Sequence, residues 1–359
     1  MKKLNSVNKI YIIEENNIII NYGGGKVKQY ILQLKNFKGA TLNGGFLICG
    51  GVDLNYKIAK EKAVSECIER YTMNLFEQPS MLIDKSFSEN INFLQDINGF
   101  KFSKVYSLLE EKETYIPSQM VNFKSEDHIY YPISSNGFAA HVNKEKIIES
   151  GVNECVERHL TLKNWICDSN KNYRLIPNDY LKNPIKSIVL SIEKIGYNVN
   201  FVYIKNKYKI NCVNVFVVKN NRVLFGASAN GNFDIAIRNS LFEAMSNLRC
   251  NDSSYYDDFN VDNVYLSRMA EIISNAKSLT REDYVENIHV LKSILKDKVE
   301  VYYANFNSKE CKVNYNREVG RIIIPKFIYF TNKPTNFIKL MKKKGELNKL
   351  FESKIITPY

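Results

Sequence analysis

Apolar residues at 58, 59, 63, 64, 67, 68 and 71 recur at the three-and-four spacing of one helix face, with Asp53 and Asn55 placed ahead of them as capping residues. Upstream, Phe46-Leu-Ile-Cys-Gly50-Gly51 reads as a short apolar run closed by a glycine turn. The same order of run, turn and helix returns twice, led by Tyr131-Pro-Ile-Ser-Ser135-Asn136-Gly137 and by Val223-Leu-Phe-Gly226 through Gly231. The helical stretches share a phrase. Val64-Ser-Glu66-Cys67-Ile-Glu69-Arg70-Tyr71 is answered by Val152-Asn-Glu154-Cys155-Val-Glu157-Arg158-His159, with five identical positions and an offset of 88 residues (154 − 66). A weaker echo at 235–247 keeps one carboxylate, Glu243, and has neither the second nor the arginine. The pattern predicts three strand–turn–helix units related by internal duplication in a compact α/β protein with mixed sheets, since the period is too long for a solenoid. The stretch 252–296 reads as a helical connector and 335–353 as a lysine-rich helix, while Arg321 opens a strand-like Ile-Ile-Ile run.

The phrase carries chemistry. Glu66 and Glu69, like Glu154 and Glu157, are three apart, so their side chains emerge as neighbours on a helix. Paired carboxylates repel unless a cation lies between them, and Mg²⁺ takes such oxygens together with phosphate oxygens. Arg70 and Arg158, one position beyond, suit forked contact with phosphate. A single copy would read as a surface ion pair, Glu66 to Arg70 or Glu154 to Arg158, worth about 0.3–0.5 kcal/mol. Such a pair has no need of matching buried neighbours, yet Val64/Val152 and Cys67/Cys155 match as well.

Composition narrows the class. The chain has 359 residues, 45% hydrophobic and 25% charged, which is globular, and no apolar run is long enough to span a membrane. Glu14 and Glu15 interrupt the basic amino terminus before a secretory signal can form, so a cytoplasmic protein is expected. Seven single cysteines, none in a C-x-x-C pair, argue against zinc and disulfides. The net charge of +12 allows a nucleic-acid binder, but no aromatic residues interleave with the basic ones, and the dense cluster is confined to 339–344. His128, His141, His159 and His289 are isolated, so no catalytic acid or base is assigned.

With these residues in view, the chain resembles the YcaO-domain family. The E-C-I-E-R-Y and E-C-V-E-R-H helices resemble its two carboxylate-rich motifs. Ser135-Asn136-Gly137-Phe-Ala-Ala140 is similar to its S-N-G-x-x-A turn, and Gly50-Gly51 with Leu54 to its glycine-rich segment. Gly226-Ala through Asp234 and Glu243 is similar to a third motif, and Arg321-Ile-Ile-Ile-Pro325 to a late one, so the resemblance runs from about Gly44 to Pro325. It implies mixed sheets around one nucleotide cleft and an ATP- and Mg²⁺-dependent cyclodehydratase that activates peptide backbone amides by phosphoryl transfer, forming thiazolines or oxazolines from Cys, Ser or Thr of a ribosomally made precursor in bacteriocin or related biosynthesis. It further implies that Glu66, Glu69, Glu154 and Glu157 hold magnesium, that Arg158 and Arg321 contact nucleotide phosphates, and that Asn136 helps shape the pocket.

The expected division is 1–43 as an N-terminal extension, 44–333 as the catalytic domain and 334–359 as a helical tail. With so little chain before Gly44, the precursor peptide is expected to arrive on a partner resembling E1 enzymes. A flavin dehydrogenase is a further expected partner, within a homodimer or hetero-complex. The chain departs from the family at Val52, where a basic residue is common, at Lys146, where a carboxylate is common, at Ser246 and Asn247, and in its single terminal proline, Pro358. The last departure leaves room for thioamide or amidine formation, and a scaffold subunit without catalysis is the alternative of a different class.

Overall fold

The computed structural model describes residues 11–22, 25–35, 46–82, 101–123, 134–167, 170–220, 222–246, 263–307 and 316–327. These form three sheets and seven α-helices. The first sheet contains β1 (Tyr11–Tyr22), β2 (Gly25–Lys35) and β3 (Phe46–Asp53) in that order, all antiparallel. The second contains β4 (Ser80–Leu82), β5 (Lys101–Ser107), β6 (Lys112–Pro117), β7 (Phe138–His141), β13 (Tyr302–Asn305) and β14 (Glu318–Ile323), in the order β4-β5-β13-β14-β7 with β6 paired to β5. The third contains β8 (Tyr173–Leu175), β9 (Asn198–Ile204), β10 (Asn211–Lys219), β11 (Arg222–Asn230) and β12 (Lys277–Ser278), in the order β11-β10-β9-β8-β12, and only β8 and β12 run parallel. The helices are α1 (Tyr56–Leu75), α2 (Ser118–Val121), α3 (Lys144–Ile166), α4 (Ile185–Lys194), α5 (Phe233–Ser246), α6 (Asn263–Asn275) and α7 (Val290–Lys296).

The third sheet is covered on both faces, and its strands show why. Successive side chains of a strand point to opposite faces. In β10, Cys212 and Phe216 join one core with Trp165 of α3, while Val213, Val215 and Val217 join another with Ile188 of α4 and Leu241 of α5. β9 divides the same way, Val202 and Ile204 against Phe201 and Tyr203. A strand buried on both sides is largely apolar, as 212–218 is apart from Asn214, whose Oδ1 accepts from Thr161 Oγ1 at 2.9 Å. A third core lies between α1 and the second sheet around Ile68, Ile116 and Ile323.

What positions the site is a cycle of packing. Helix α1 rests on β3 and reaches β7, α3 rests on β7 and reaches β11, and α5 rests on β11 and reaches β3. The three expected helices are present, and a strand precedes each. All three units differ from the expected order: Gly50-Gly51 lies within β3 and Gly226–Asn230 within β11 rather than in turns, and the second unit is rearranged further. The turn at Ser135–Gly137 comes before its strand rather than after it, because β7 begins at Phe138 and pairs through 138–141 with β14. Residues 131–133 of the expected run lie outside the described residues.

The boundary expected at residue 43 falls between strands of one sheet: β2 pairs with β3 along its length, and Val27 packs with Val52 in the α4–α5 core. The expected connector contains α6, β12 and α7 separated by loop, with 252–262 outside the described residues. The lysine cluster and the tail 334–359 are outside them too. Cys49, Cys155, Cys167 and Cys212 are buried thiols and Cys67 is half-buried, which fits packing. No helix among the described residues is long and apolar enough to cross a membrane.

Candidate nucleotide and metal site

Each of the three site helices starts at an asparagine whose side chain closes the first turn. Asn55 Oδ1 accepts from Lys57 N, Asn143 Oδ1 from Lys146 N and Asn232 Oδ1 from Ile235 N, all at 2.9 Å. A glutamate follows each cap by 11 residues: 66 − 55, 154 − 143 and 243 − 232. That is about three helical turns, so the three carboxylates hold the same place relative to their caps. Each then accepts a main-chain N–H from the segment ahead of its helix. Glu66 Oε2 takes Gly50 N at 2.9 Å, Glu154 Oε2 takes Gly137 N at 3.1 Å and Glu243 Oε2 takes Ala227 N at 2.9 Å. Close approach makes these bonds possible. A Cβ on Gly51 would lie 2.0 Å from Ala59 O, and one on Gly226 2.1 Å from Ser240 O.

The carboxylates converge. Arg158 lies among three of them, with Nε 4.0 Å from Glu154 Oε1 and 3.4 Å from Glu157 Oε1, and Nη2 3.8 Å from Glu243 Oε1. Arg70 Nη2 is 3.9 Å from Glu66 Oε1. Burial raises the pKa of Glu66, and Glu154 raises it further against the pull of Arg70 and the Gly50 N–H. Glu69 is pushed well above the usual range by burial, then by Glu154 and Glu66, with Arg70 and Arg158 opposing. Glu243 is raised by burial and by Glu154 and Glu66, against Arg158 and the Ala227 N–H. Five glutamates from three helices thus stand beside two arginines, so carboxylates outnumber the cations near them. The groups are still reachable, with side-chain exposures of 36% for Glu66, 29% for Glu154 and 34% for Glu243.

A cation-bearing ligand fits this set. Among the described residues no three His, Cys, Asp or Glu side chains form a metal cluster by themselves. Mg²⁺ is commonly held by one or two carboxylates with phosphate oxygens and water completing its shell, so a divided set of glutamates suits Mg²⁺ arriving on a nucleotide. The groove between α3 and α5 has a volume of about 580 Å³ and is walled by Glu154, Glu157, Arg158, Asn153, Arg238 and Glu243. A volume of this size is in the range of small-molecule sites.

Arg321 is placed differently from the expectation. It is buried, and its Nε, Nη1 and Nη2 donate to the carbonyl oxygens of Asn136 (3.2 Å), Val121 (3.0 Å) and Ser134 (2.7 Å), with the guanidinium over the Phe138 ring. These bonds fix the Ser134–Asn136 turn that presents Gly137 N to Glu154. Gly137 sits at φ +79°, and a Cβ there would lie 2.0 Å from Ile322 O, so the turn requires glycine. Asn136 is itself buried, and its Nδ2 has no hydrogen-bond partner among the described residues.

Two further residues belong to the site. Glu243 was visible in the sequence only as half a motif, and the cap-to-glutamate spacing is the signal that identifies it. Lys146 lines the groove, its Nζ 2.7 Å from Glu149 Oε2. Val52, at the expected basic position, is packed in the core, and Lys62 Nζ from α1 reaches its carbonyl at 3.1 Å and Asp53 Oδ2 at 2.8 Å.

Comparison with known proteins places this geometry. The family model described as YcaO cyclodehydratase, ATP- and Mg²⁺-binding, matches residues 50–328. No curated protein matches in a sequence search. Among solved structures, the fold is similar to YcaO from Methanopyrus kandleri bound with AMPPCP and Mg²⁺, at TM-score 0.66 and 13% identity, over 94% of this chain and 89% of that one. It is also similar to a heterocyclase in complex with substrate and cofactor, at TM-score 0.66 and 14% identity, over 84% of this chain and 48% of that one, so the chain spans about half that protein's length. The E. coli microcin synthetase McbBCD complex matches at TM-score 0.64 and 14% identity, over 91% of each chain. The chain belongs to the YcaO family of ATP- and Mg²⁺-binding cyclodehydratases.

Proposed function

We propose that this protein forms thiazoline or oxazoline rings in a ribosomally made peptide, with Mg²⁺–ATP held over the convergent glutamates. ATP supplies a phosphoryl group that turns the amide oxygen, a poor leaving group, into phosphate, a good one. The side chain of a Cys, Ser or Thr adds to the preceding carbonyl and closes the ring, the resulting oxyanion takes the phosphoryl group, and phosphate departs as the former amide nitrogen loses its proton and the C=N bond forms. The chain's own part is to position reactants and neutralise charge. Glu66, Glu69, Glu154 and Glu157 hold magnesium, joined by Glu243. Arg158, with Arg70, faces the phosphates, and Arg321 and Asn136 act through the turn that carries Gly137.

The observation that carries this reading is the arrival of equivalent glutamates from three helices beside two arginines. A precursor peptide and an E1-like partner belong to the same proposal, and the neighbours that include a microcin synthetase complex with pro-MccB17 bound support a peptide substrate and a complex. Oxidation of the rings would fall to a flavin dehydrogenase. The product decides the reaction. Incubated with Mg²⁺–ATP, the partner and the precursor encoded beside it, the protein should give peptide lighter by one water per ring. Exchange of oxygen for sulfur would instead establish thioamide formation, and the absence of any product together with metal-independent nucleotide affinity would indicate a scaffold.

A further inference from the structure

Beyond the nucleotide groove lies a second hollow of about 490 Å³, sharing Glu149, Asn153 and Asn230 with it. Its aliphatic lining comes from Ile148 and Val152 of α3, Ile235 of α5, and Ile288, Val290 and Leu291 at the start of α7. Four of these, Ile148, Ile235, Ile288 and Leu291, are only half-buried. Half-exposed aliphatic groups facing one hollow gain from covering by an apolar group, at roughly 25 cal/mol per Å² removed from water.

The far wall is irregular chain, yet it is firmly built. Ile288 N donates to Gly231 O at 2.9 Å, Phe233 N to Glu286 O at 3.2 Å and Asn232 Nδ2 to Asn287 Oδ1 at 2.7 Å. Buried Asn211 Nδ2 joins Gly231 O and Val285 O at 3.0 and 2.7 Å. A Cβ on Gly231 would lie 2.0 Å from Ile288 O, so the two segments are as close as backbone allows. In the shared wall, Asn153 Oδ1 is a buried acceptor with no partner among the described residues.

We infer that this hollow receives the side chain of the substrate residue immediately before the Cys, Ser or Thr that is cyclised, and so sets which sites in a peptide are modified. The inference rests on the proposed cyclodehydratase reading. The activated carbonyl belongs to that preceding residue, so its side chain begins two bonds from the carbon that must lie against the nucleotide groove. Continuity of the hollow with the groove gives the side chain a place to go. Glu145 and Glu149 on the rim oppose entry of a polyphosphate.

Capped peptides Gly-Ala-Xaa-Cys-Gly-Gly, with Gly, Leu, Phe or Asp at Xaa, are titrated against the full chain saturated with Mg²⁺–AMPPCP, and Mg²⁺–ATP affinity is measured separately by calorimetry. Leu or Phe should bind at least tenfold tighter than Gly or Asp. Ile288→Trp, which fills the hollow, and Ile235→Ser, which makes it polar, should each erase that preference with Mg²⁺–ATP affinity unchanged within twofold. Equal binding of all four peptides by the unaltered protein overturns the inference without any variant having to fold. Variants that keep the peptide preference but bind Mg²⁺–ATP tenfold more weakly also overturn it, and assign the hollow to the nucleobase. Failure of the unaltered protein to bind Mg²⁺–ATP at all would instead sink the underlying functional reading.

Discussion

His159 stands in the second phrase where the first has Tyr71, and it lies flat against Phe327 with ring centroids 4.3 Å apart and planes 9° from parallel. Burial, with Lys163 and Lys207 nearby, lowers its pKa from 6.5 to about 3, so the imidazole is packed neutral. Above pH 6.5 the folded and unfolded chains both leave it uncharged and it contributes nothing to pH dependence. Between pH 6.5 and about 3 the unfolded chain binds a proton that the folded one refuses, so stability falls with pH by up to about 1.4 kcal/mol per unit. His159→Tyr, which restores the residue of the first phrase, should lose about 2 kcal/mol less than the unaltered protein on going from pH 7 to pH 5, as read by urea unfolding. An equal loss in both would show that His159 is not the group resisting protonation. The sequence left His159 as a packing residue, and the stacking agrees.

At the scale of elements, a strand ahead of each helix and a small residue beneath it bring the glutamates to their N–H donors. Gly51 and Gly226 occupy those close contacts, and in each case a Cβ would strike backbone carbonyl oxygen, which cannot swing aside. Gly51→Ala should therefore cost about 1–3 kcal/mol through overpacking and weaken Mg²⁺–ATP binding, because α1 must retreat with Glu66. Thermal unfolding and nucleotide titration of this one variant check both parts, and unchanged values in both would refute the close-packing account.

Much of this was legible beforehand. The apolar face of α1 and the repeated phrase, with its weaker echo, gave the three site helices. The strand of the second unit was not legible, since Phe138–His141 is four residues long, centred on two alanines, and defined by its pairing to β14. Glu243 was passed over because its helix has no second carboxylate. The asparagine eleven residues ahead of each glutamate was visible, but it gains meaning only once all three are known to be caps. Arg321 was placed on the phosphates by the family resemblance alone, since in sequence it only opens an apolar strand; its carbonyl partners come from segments 185–200 residues away.

Across the whole molecule, the packing of each site helix on its own strand and the next closes into a cycle, so that carboxylates separated by 177 positions, Glu66 and Glu243, come within electrostatic reach of each other. A chain of net charge +12 thereby holds a locally acidic centre, and the surplus carboxylate charge is what a magnesium nucleotide would relieve. The direct measurement is calorimetric titration of ATP into the protein and into Glu154→Gln and Glu243→Gln, with Mg²⁺ and with chelator. ATP should bind in the presence of Mg²⁺ and lose at least tenfold affinity in its absence, and each substitution should weaken the metal-dependent binding at least tenfold without changing the unfolding temperature by more than a few degrees. ATP affinity that ignores both the metal and the two substitutions would contradict the account.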